Sequence, residues 1–286
     1  MNSHLMAILM LLTPLSAVAA PDSDRFANTQ IDATPLRAGL YMLTGSGGNI
    51  GVSTGPDGVL LVDDQFAPLA EKIQAKLNTL VDGEGTPKLL INTHYHGDHT
   101  GGNAIFGQHA TLMSHHNVRQ QMHRQDPDNL AALPVLTFGE GVDLHFNGLT
   151  VEVRHLGVGH TDGDAVVWFK EANVLHTGDL FFHDRFPYID QDHGGTVRGY
   201  LARVETLLTW TNDQTQIIPG HGDLATRDDL IRFAEMIRTS LSWAEALAGQ
   251  PKAQWQQQGL PTELKSWSWA FIDEGRWIDT LWREMQ

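Results

Sequence analysis

Apolar positions along the chain fall first into short β-type runs. "LYMLT" (40–44), "NIGVST" (49–54) and "VLLVDD" (59–64) read as strands, with "GSGGN" and "GPDG" as the turns between them. The period then changes. In "APLAEKIQAKLNTL" (67–80), Leu69, Ile73, Leu77 and Leu80 recur at helical spacing, and Pro68 sits where a first helical turn tolerates it. "KLLINTH" (88–94) reads as a buried strand, and "LTVEVRHLG" (149–157), "DAVVWFK" (164–170), "NVLHTGD" (173–179) and "TQIIPGHG" (215–222) read as further strands. A helix is predicted over 197–210. A longer one starts after Thr226, which forms a capping box with Asp229, and Leu230, Phe233, Ile237, Leu241 and Ala244 line one side of it.

Six of the eight tryptophans lie between Trp243 and Trp282, which predicts a helical tail over 250–286 that packs its rings on the body. A ligand-binding aromatic patch is the competing reading of the same residues. No repeat recurs at a fixed period. Runs of strands alternating with helices point to a mixed α/β sandwich rather than a purely parallel sheet, as a single domain over 25–286.

Composition narrows the function classes. With 41% apolar and 19% charged residues, the 286-residue chain is of globular type. Its 34 acidic side chains outnumber 19 basic ones, and no long basic run occurs, which argues against a nucleic-acid partner. A neutral or cationic small-molecule substrate is expected instead. The amino-terminal run "LMAILMLLTPLSAVAA" ends in Ala17-Val18-Ala19, is interrupted by Pro14 and is short for a membrane span. It predicts a signal peptide over 1–19 cleaved near Ala19, a periplasmic or secreted protein and no stable membrane span, although no Lys or Arg precedes Arg25.

The chemistry concentrates in "INTHYHGDHTGGN" (91–103), in a chain without cysteine. In extended chain, His94 and His96 point to one side and can converge on one ion. Gly97 then lets the backbone turn so that Asp98 and His99 can face a second ion. Imidazole and carboxylate ligation without thiolate suits zinc. This cluster alone supplies too few ligands. Three more stand at the ends of predicted strands, each flanked by glycine: His160, Asp179 and His221.

H-x-H-x-D-H after a strand, followed by G-H-T, T-G-D and P-G-H-G, resembles the metallo-β-lactamase superfamily, and the resemblance runs from about residue 36 to 247. "LLVDDQF" is similar to that family's early strand ending in aspartate, and the tail resembles extensions of some exported members. The resemblance implies a four-layer αβ/βα sandwich of two mixed β-sheets flanked by helices. It also implies two zinc ions per chain. His94, His96 and His160 would hold one, Asp98, His99 and His221 the other, and Asp179 would bridge them. Asp63 would steady the histidine loop from behind.

The implied activity is hydrolysis of an ester, lactone, thioester or amide bond, β-lactams included, by a hydroxide between the ions, with Asp98 orienting that nucleophile. The bridging aspartate and the missing cysteine resemble glyoxalase II and lactonases more than true β-lactamases. "GSGGNIGVSTGPDGVLLVDD" nonetheless resembles the glycine-rich flap of β-lactamases, and a substrate groove is expected between residues 45–50 and 180–195. Two further classes remain open: a mononuclear iron oxygenase similar to sulfur dioxygenases, and a metal-stabilised binding protein without catalysis.

Other histidines carry blander expectations. His176 reads as a buried strand residue, and His115, His116 and His123 as surface positions. His183 and Asp184 follow on a loop of the kind that carries substrate contacts.

Overall fold

The computed structural model describes residues 25–286, so the signal-peptide reading over 1–19 lies outside the described residues. Two mixed sheets face each other with helices on their outer sides. The first has seven strands in sequential order: β1 (Asp32–Pro35), β2 (Leu40–Thr44), β3 (Ile50–Gly55), β4 (Gly58–Val62), β5 (Pro87–Ile91), β6 (Thr111–His115) and β7 (Leu136–Phe138). It is antiparallel from β1 to β4 and parallel from β4 to β7. The second runs β12 (Gln216–Ile218), β11 (Val174–His176), β10 (Ala165–Phe169), β9 (Leu149–His155) and β8 (Gly141–Phe146). Here only the β11–β12 pair is parallel.

Burial explains why the strands read as nearly continuous apolar runs rather than alternating ones. In β4, Leu60 and Val62 join Val151, Val153, Val167 and Phe169 of the second sheet in the core between the sheets. Its alternate residues Val59 and Leu61 pack with Leu69, Ile73 and Leu77 on the other face. Three of those helical positions were legible from spacing. They belong to α1 (Ala70–Asn78) and the short turn before it. The outer face of the second sheet, with Val166, Leu175 and Ile217, is covered by α5 (Val197–Trp210) and α6 (Arg227–Ala246). Thr226 and Asp229 form the expected capping box, and all five of the apolar positions read from α6 are buried.

The remaining helices are α2 (Gly97–Thr100), α3 (Asn103–Phe106), α4 (His116–Gln125), α7 (Lys252–Gln258) and α8 (Glu274–Glu284). In the tail, Trp255 and Trp277 are fully buried in the same core as α5 and α6. Their indole N–H groups donate to the Leu247 carbonyl at 3.1 Å and to Ser240 Oγ at 3.0 Å. Among the described residues, no helix is long and apolar enough to cross a membrane.

His115 corrects an expectation. His116 and His123 are exposed, but His115 ends β6 and is only 3% exposed. Its ring stacks on His155, with centroids 4.0 Å apart, and lies beside His116. Burial, together with those two neighbouring imidazoles, pulls its pKa down to about 3. Between pH 6.5 and pH 3 the unfolded chain therefore binds a proton that the folded chain refuses, and stability falls as pH falls through that window. His115→Phe keeps a flat ring against His155 without the titration. It is expected to lose less stability than the parent between pH 7 and pH 5, read from urea midpoints; parallel losses in both proteins would reject this origin.

Candidate metal centre

The centre is assembled from loops at strand ends of both sheets. β4 stops at Val62, and Asp63 turns the chain with φ of 64°, a left-handed conformation that Asp tolerates better than most residues. Its fully buried carboxylate accepts from Thr93 N at 2.8 Å, Thr93 Oγ1 at 2.7 Å and His99 Nδ1 at 2.7 Å. Because the Thr93 hydroxyl gives its proton to Asp63, its lone pair faces His94 Nδ1 at 3.0 Å and accepts from that ring. Each acceptor fixes the ring's orientation, so that Nε2 of His94 and of His99 faces the centre. Thr93 also joins the two sheets, since its carbonyl accepts from Ala165 N of β10 at 2.7 Å.

The second sheet supplies three loops. Between β9 and β10, His160 donates from Nδ1 to the Tyr188 carbonyl at 2.8 Å. Its backbone N–H donates to Asp164 at 2.6 Å. Burial pushes Asp164 up to about 7, against the pull of the Thr161 hydroxyl and the backbone N–H groups of Thr161 and His160. After β11, Gly178 adopts φ of 50° and presents Asp179, whose carbonyl accepts from the Tyr200 hydroxyl at 2.6 Å. After β12, Pro219, Gly220 and His221 are strapped to the turn at 45–50: Asn49 donates from Nδ2 to Pro219 O at 2.9 Å and from its backbone N–H to Gly220 O at 2.7 Å. That turn is no free flap. A Cβ on Gly48 would stand 2.1 Å from the His99 ring.

All seven ligand-type residues read from the sequence come together. Donor atoms of His94, His96, His160 and Asp179 lie within 4.8 Å of one another, and so do those of Asp98, His99 and His221. Asp179 stands between the two groups. Its Oδ2 is 3.7 Å from His94 Nε2 and 3.5 Å from His160 Nε2, while its Oδ1 is 3.1 Å from His99 Nε2 and 3.5 Å from His221 Nε2. Asp98 Oδ2 faces His221 Nε2 at 3.4 Å.

Electrostatics match this crowding. Burial alone would raise Asp179, but the imidazoles of His99, His221 and His94 hold it well below the usual carboxylate range. Burial would likewise lower His99, but Asp179, Asp98 and Asp63 drive it well above an ordinary imidazole. The centre favours positive charge. His94 and His160 are pushed the other way by burial, His160 to about 3, so both rings are neutral.

Asp190 escaped sequence reasoning. Its carboxylate accepts from His96 Nε2 at 3.0 Å, from His193 Nδ1 at 2.9 Å and from the Tyr95 hydroxyl. Against the effect of burial, these donors hold it below the usual carboxylate range. With Nε2 so engaged, His96 turns Nδ1 inward. His176, as expected, is a buried strand residue with both nitrogens used: Nε2 lies 3.2 Å from Asn49 O, and Nδ1 accepts from Gly178 N at 3.1 Å. His183 and Asp184 turn elsewhere, His183 donating to the Asp223 carbonyl at 2.9 Å and Asp184 accepting from Arg232 at 2.7 Å.

Over the centre opens a cavity of roughly 630 Å³. Gly47 of the turn and Tyr188, Asp190 and His193 of the later loop line it, as the expected groove required. Phe66 and the tail residues Trp269 and Phe271 also line it, so the tail reaches the site as well as the core.

The chain is similar to proteins already characterised. The chain is 22% identical over 188 residues to a metallo-beta-lactamase type 2 of Bacillus cereus, a stretch covering 63% of this chain and 69% of the relative. It is 32% identical over 136 residues to a hydroxyacylglutathione hydrolase of Nitrosococcus oceani, covering 46% of this chain and 47% of that protein. A solved metallo-beta-lactamase from Pontibacter korlensis superposes with a TM-score of 0.62 at 17% identity, over 73% of this chain and 99% of its own. The family model described as the metallo-beta-lactamase superfamily matches residues 43–221, and the chain belongs to that superfamily.

Proposed function

We propose that this chain is a zinc-dependent hydrolase with a two-ion centre. In this reading His94, His96 and His160 would hold one ion and Asp98, His99 and His221 the other, with Asp179 available to both. One observation carries it. His96 Nδ1 and His160 Nε2 face each other at 2.9 Å, although the opposite nitrogen of each ring already donates, His96 to Asp190 and His160 to the Tyr188 carbonyl. Both inward nitrogens therefore present lone pairs, an arrangement that a cation relieves and a hydrogen bond between neutral rings does not. His94 Nε2 is likewise buried without a hydrogen-bond partner, which is costly unless an ion satisfies it. The nitrogen and oxygen donor set, free of thiolate, suits zinc.

Zinc, when bound, supplies Lewis acidity toward a carbonyl or phosphoryl oxygen and hydroxide near neutral pH. The chain does the rest. Asp98, the most exposed of the site carboxylates at 24%, accepts a hydrogen bond from the attacking water and directs it at the substrate. Asp63, Thr93, Asp190 and the Tyr188 carbonyl each hold one ring in orientation toward the centre. The bond cleaved is an ester, lactone, thioester or amide of a small molecule. The similarity to both a metallo-beta-lactamase type 2 and a hydroxyacylglutathione hydrolase supports that range.

Elemental analysis of the purified protein should return about two zinc per chain. A panel of acyl-lactones, thioesters, esters and nitrocefin should show turnover that a chelator removes and zinc restores. One iron per chain with oxygen consumption would replace this reading with an oxygenase, and inertness toward the whole panel would end it.

Gly220 offers a sharper check. A Cβ there would stand 2.0 Å from Asp179 Oδ1 and 2.7 Å from the Gly178 carbonyl carbon, which cannot move cheaply. Gly220→Ala is expected to displace Asp179 and weaken zinc binding about 10–100-fold, measured against a competing chelator. Unchanged affinity would show that Asp179 is not held where the centre needs it.

A further inference from the structure

The cavity over the centre is walled by rings. Phe182, Tyr188, Trp269 and Phe271 line one side, and Phe66 stands on the rim with Arg25. Adjacent members sit in edge or tilted contact: Phe182 with Trp269 at 6.4 Å, Trp269 with Phe271 at 5.6 Å, and Phe271 with Tyr188 at 5.7 Å between centroids. The wall reaches both halves of the centre. Phe182 stacks on His221 at 4.9 Å, and Tyr188 lies 5.6 Å from His96.

Two of these rings come from residues 268–273, beyond the stretch that matches the superfamily. They are fixed in place. The Trp269 indole N–H donates to the Phe186 carbonyl at 2.9 Å, and Phe186 N donates to Trp267 O at 2.8 Å. The Trp269 backbone N–H donates to Ile272 O at 3.1 Å, and Ile272 is itself buried. Phe271 is 45% exposed although it is a large apolar residue on a locked loop. Because it continues the Tyr188 and Trp269 rings, Phe271 extends a contiguous apolar patch of the kind that marks a ligand-binding groove.

Charge selects among occupants. Three of the rings already carry a guanidinium near the centroid: Arg25 on Phe66 at 5.2 Å, Arg185 on Trp269 at 5.2 Å and Arg276 on Phe271 at 4.7 Å. A cationic ligand would meet repulsion there, although the overall charge of the chain would attract it. The guanidiniums count against a cation and the formal charge of −15 against an anion, so a neutral group is favoured at the wall.

On the proposed reading of the centre as a hydrolase, we infer that its substrate carries an aromatic or bulky apolar acyl group, seated on the wall of Tyr188, Trp269 and Phe271. Trp269 and Phe271 are specificity determinants, and the tail supplies the selectivity that the metal loops do not.

Two measurements on the zinc-loaded full chain test this. The first is kcat/KM for acetyl, butyryl and phenylacetyl compounds sharing one leaving group, as esters and as thioesters. The parent should prefer phenylacetyl over acetyl by at least about tenfold, and Trp269→Ala and Phe271→Ala should each cut that ratio several-fold, with the loss in KM more than in kcat. The second is calorimetric binding of phenylacetate and acetate, which needs no turnover. Phenylacetate should bind about tenfold more tightly, and Phe271→Ala should remove most of that advantage. Phe271 is exposed, so its replacement tests the wall even where Trp269→Ala perturbs folding. Equal handling of acetyl and phenylacetyl ligands, or a preference untouched by Phe271→Ala, overturns the inference. Selective phenylacetate binding without turnover of any compound would overturn the hydrolase reading and leave the wall standing.

Discussion

Asp179→Asn is expected to lose about a thousandfold or more in kcat/KM and to bind fewer than two zinc per chain. Asparagine keeps the volume, so the fold around Gly178 and Gly220 is preserved. It removes the negative charge that His99, His221, His94 and His160 all face within 3.7 Å. It also leaves one acceptor oxygen where two now point to different groups of donors. Metal centres contribute several kcal/mol of transition-state stabilisation, and about 4 kcal/mol corresponds to roughly a thousandfold in rate. Turnover and elemental analysis must be read together. Lost activity with full stoichiometry would make Asp179 an orienting group rather than a shared ligand, and unchanged values of both would remove it from the centre.

Asp63→Ala is the second large effect, and it acts on folding as well as on the site. The substitution strands three buried donors: Thr93 N, the Thr93 hydroxyl and His99 Nδ1. Each unpaired buried group costs about 1–3 kcal/mol, so a loss of at least about 3 kcal/mol is expected. In a domain of this size that lowers Tm by about 6–12 °C. Alanine also tolerates the φ of 64° less well than aspartate. Zinc affinity should drop about 10–100-fold, because His99 loses the group that fixes its ring. Asp63→Asn, which tolerates the same backbone and retains one acceptor, should recover part of the stability and less of the affinity. If Tm stays within 2 °C of the parent in Asp63→Ala, judged on the same scale, the buried network has been misread.

The candidate ligand residues, which the structure brings together, could be picked out because their signals are local. His94, His96, Asp98 and His99 share one turn of chain, and His160, Asp179 and His221 each follow a recognisable apolar run with glycine beside it. α5 was expected around residues 197–210 and spans Val197–Trp210, with the Thr196 side chain capping its first turn. Strand ends were read too long: β5 stops at Ile91 and β11 at His176, where the backbone leaves the ladder to form the loops of the centre. β1, β6 and β7 carried too little periodicity to be read, whereas β8 went unread although Val142, Leu144 and Phe146 alternate with Asp143 and His145.

Asp190 was invisible for a different reason. Its partner His96 lies 94 positions away, and a carboxylate inside "FPYID" has no period or spacing to mark it. The tail shows both cases. Trp255 and Trp277 follow helical packing and behave as core, whereas Trp269 sits between helices, where patterning says nothing about which way a ring faces. His115 misled because "HH" reads as polar, yet the first histidine belongs to a strand and the second to a helix.

The two sheets contribute unequal shares of the centre: residues 94–99 hang from one, while His160, Asp179 and His221 hang from the other. Any sliding of one layer over its neighbour is thus converted directly into altered ligand spacing, as a vernier converts travel into misalignment. Distant changes that loosen the apolar seam between the layers should degrade the chemistry before they unfold the protein, and an ion gripped from both sides would act as a rivet through the sandwich.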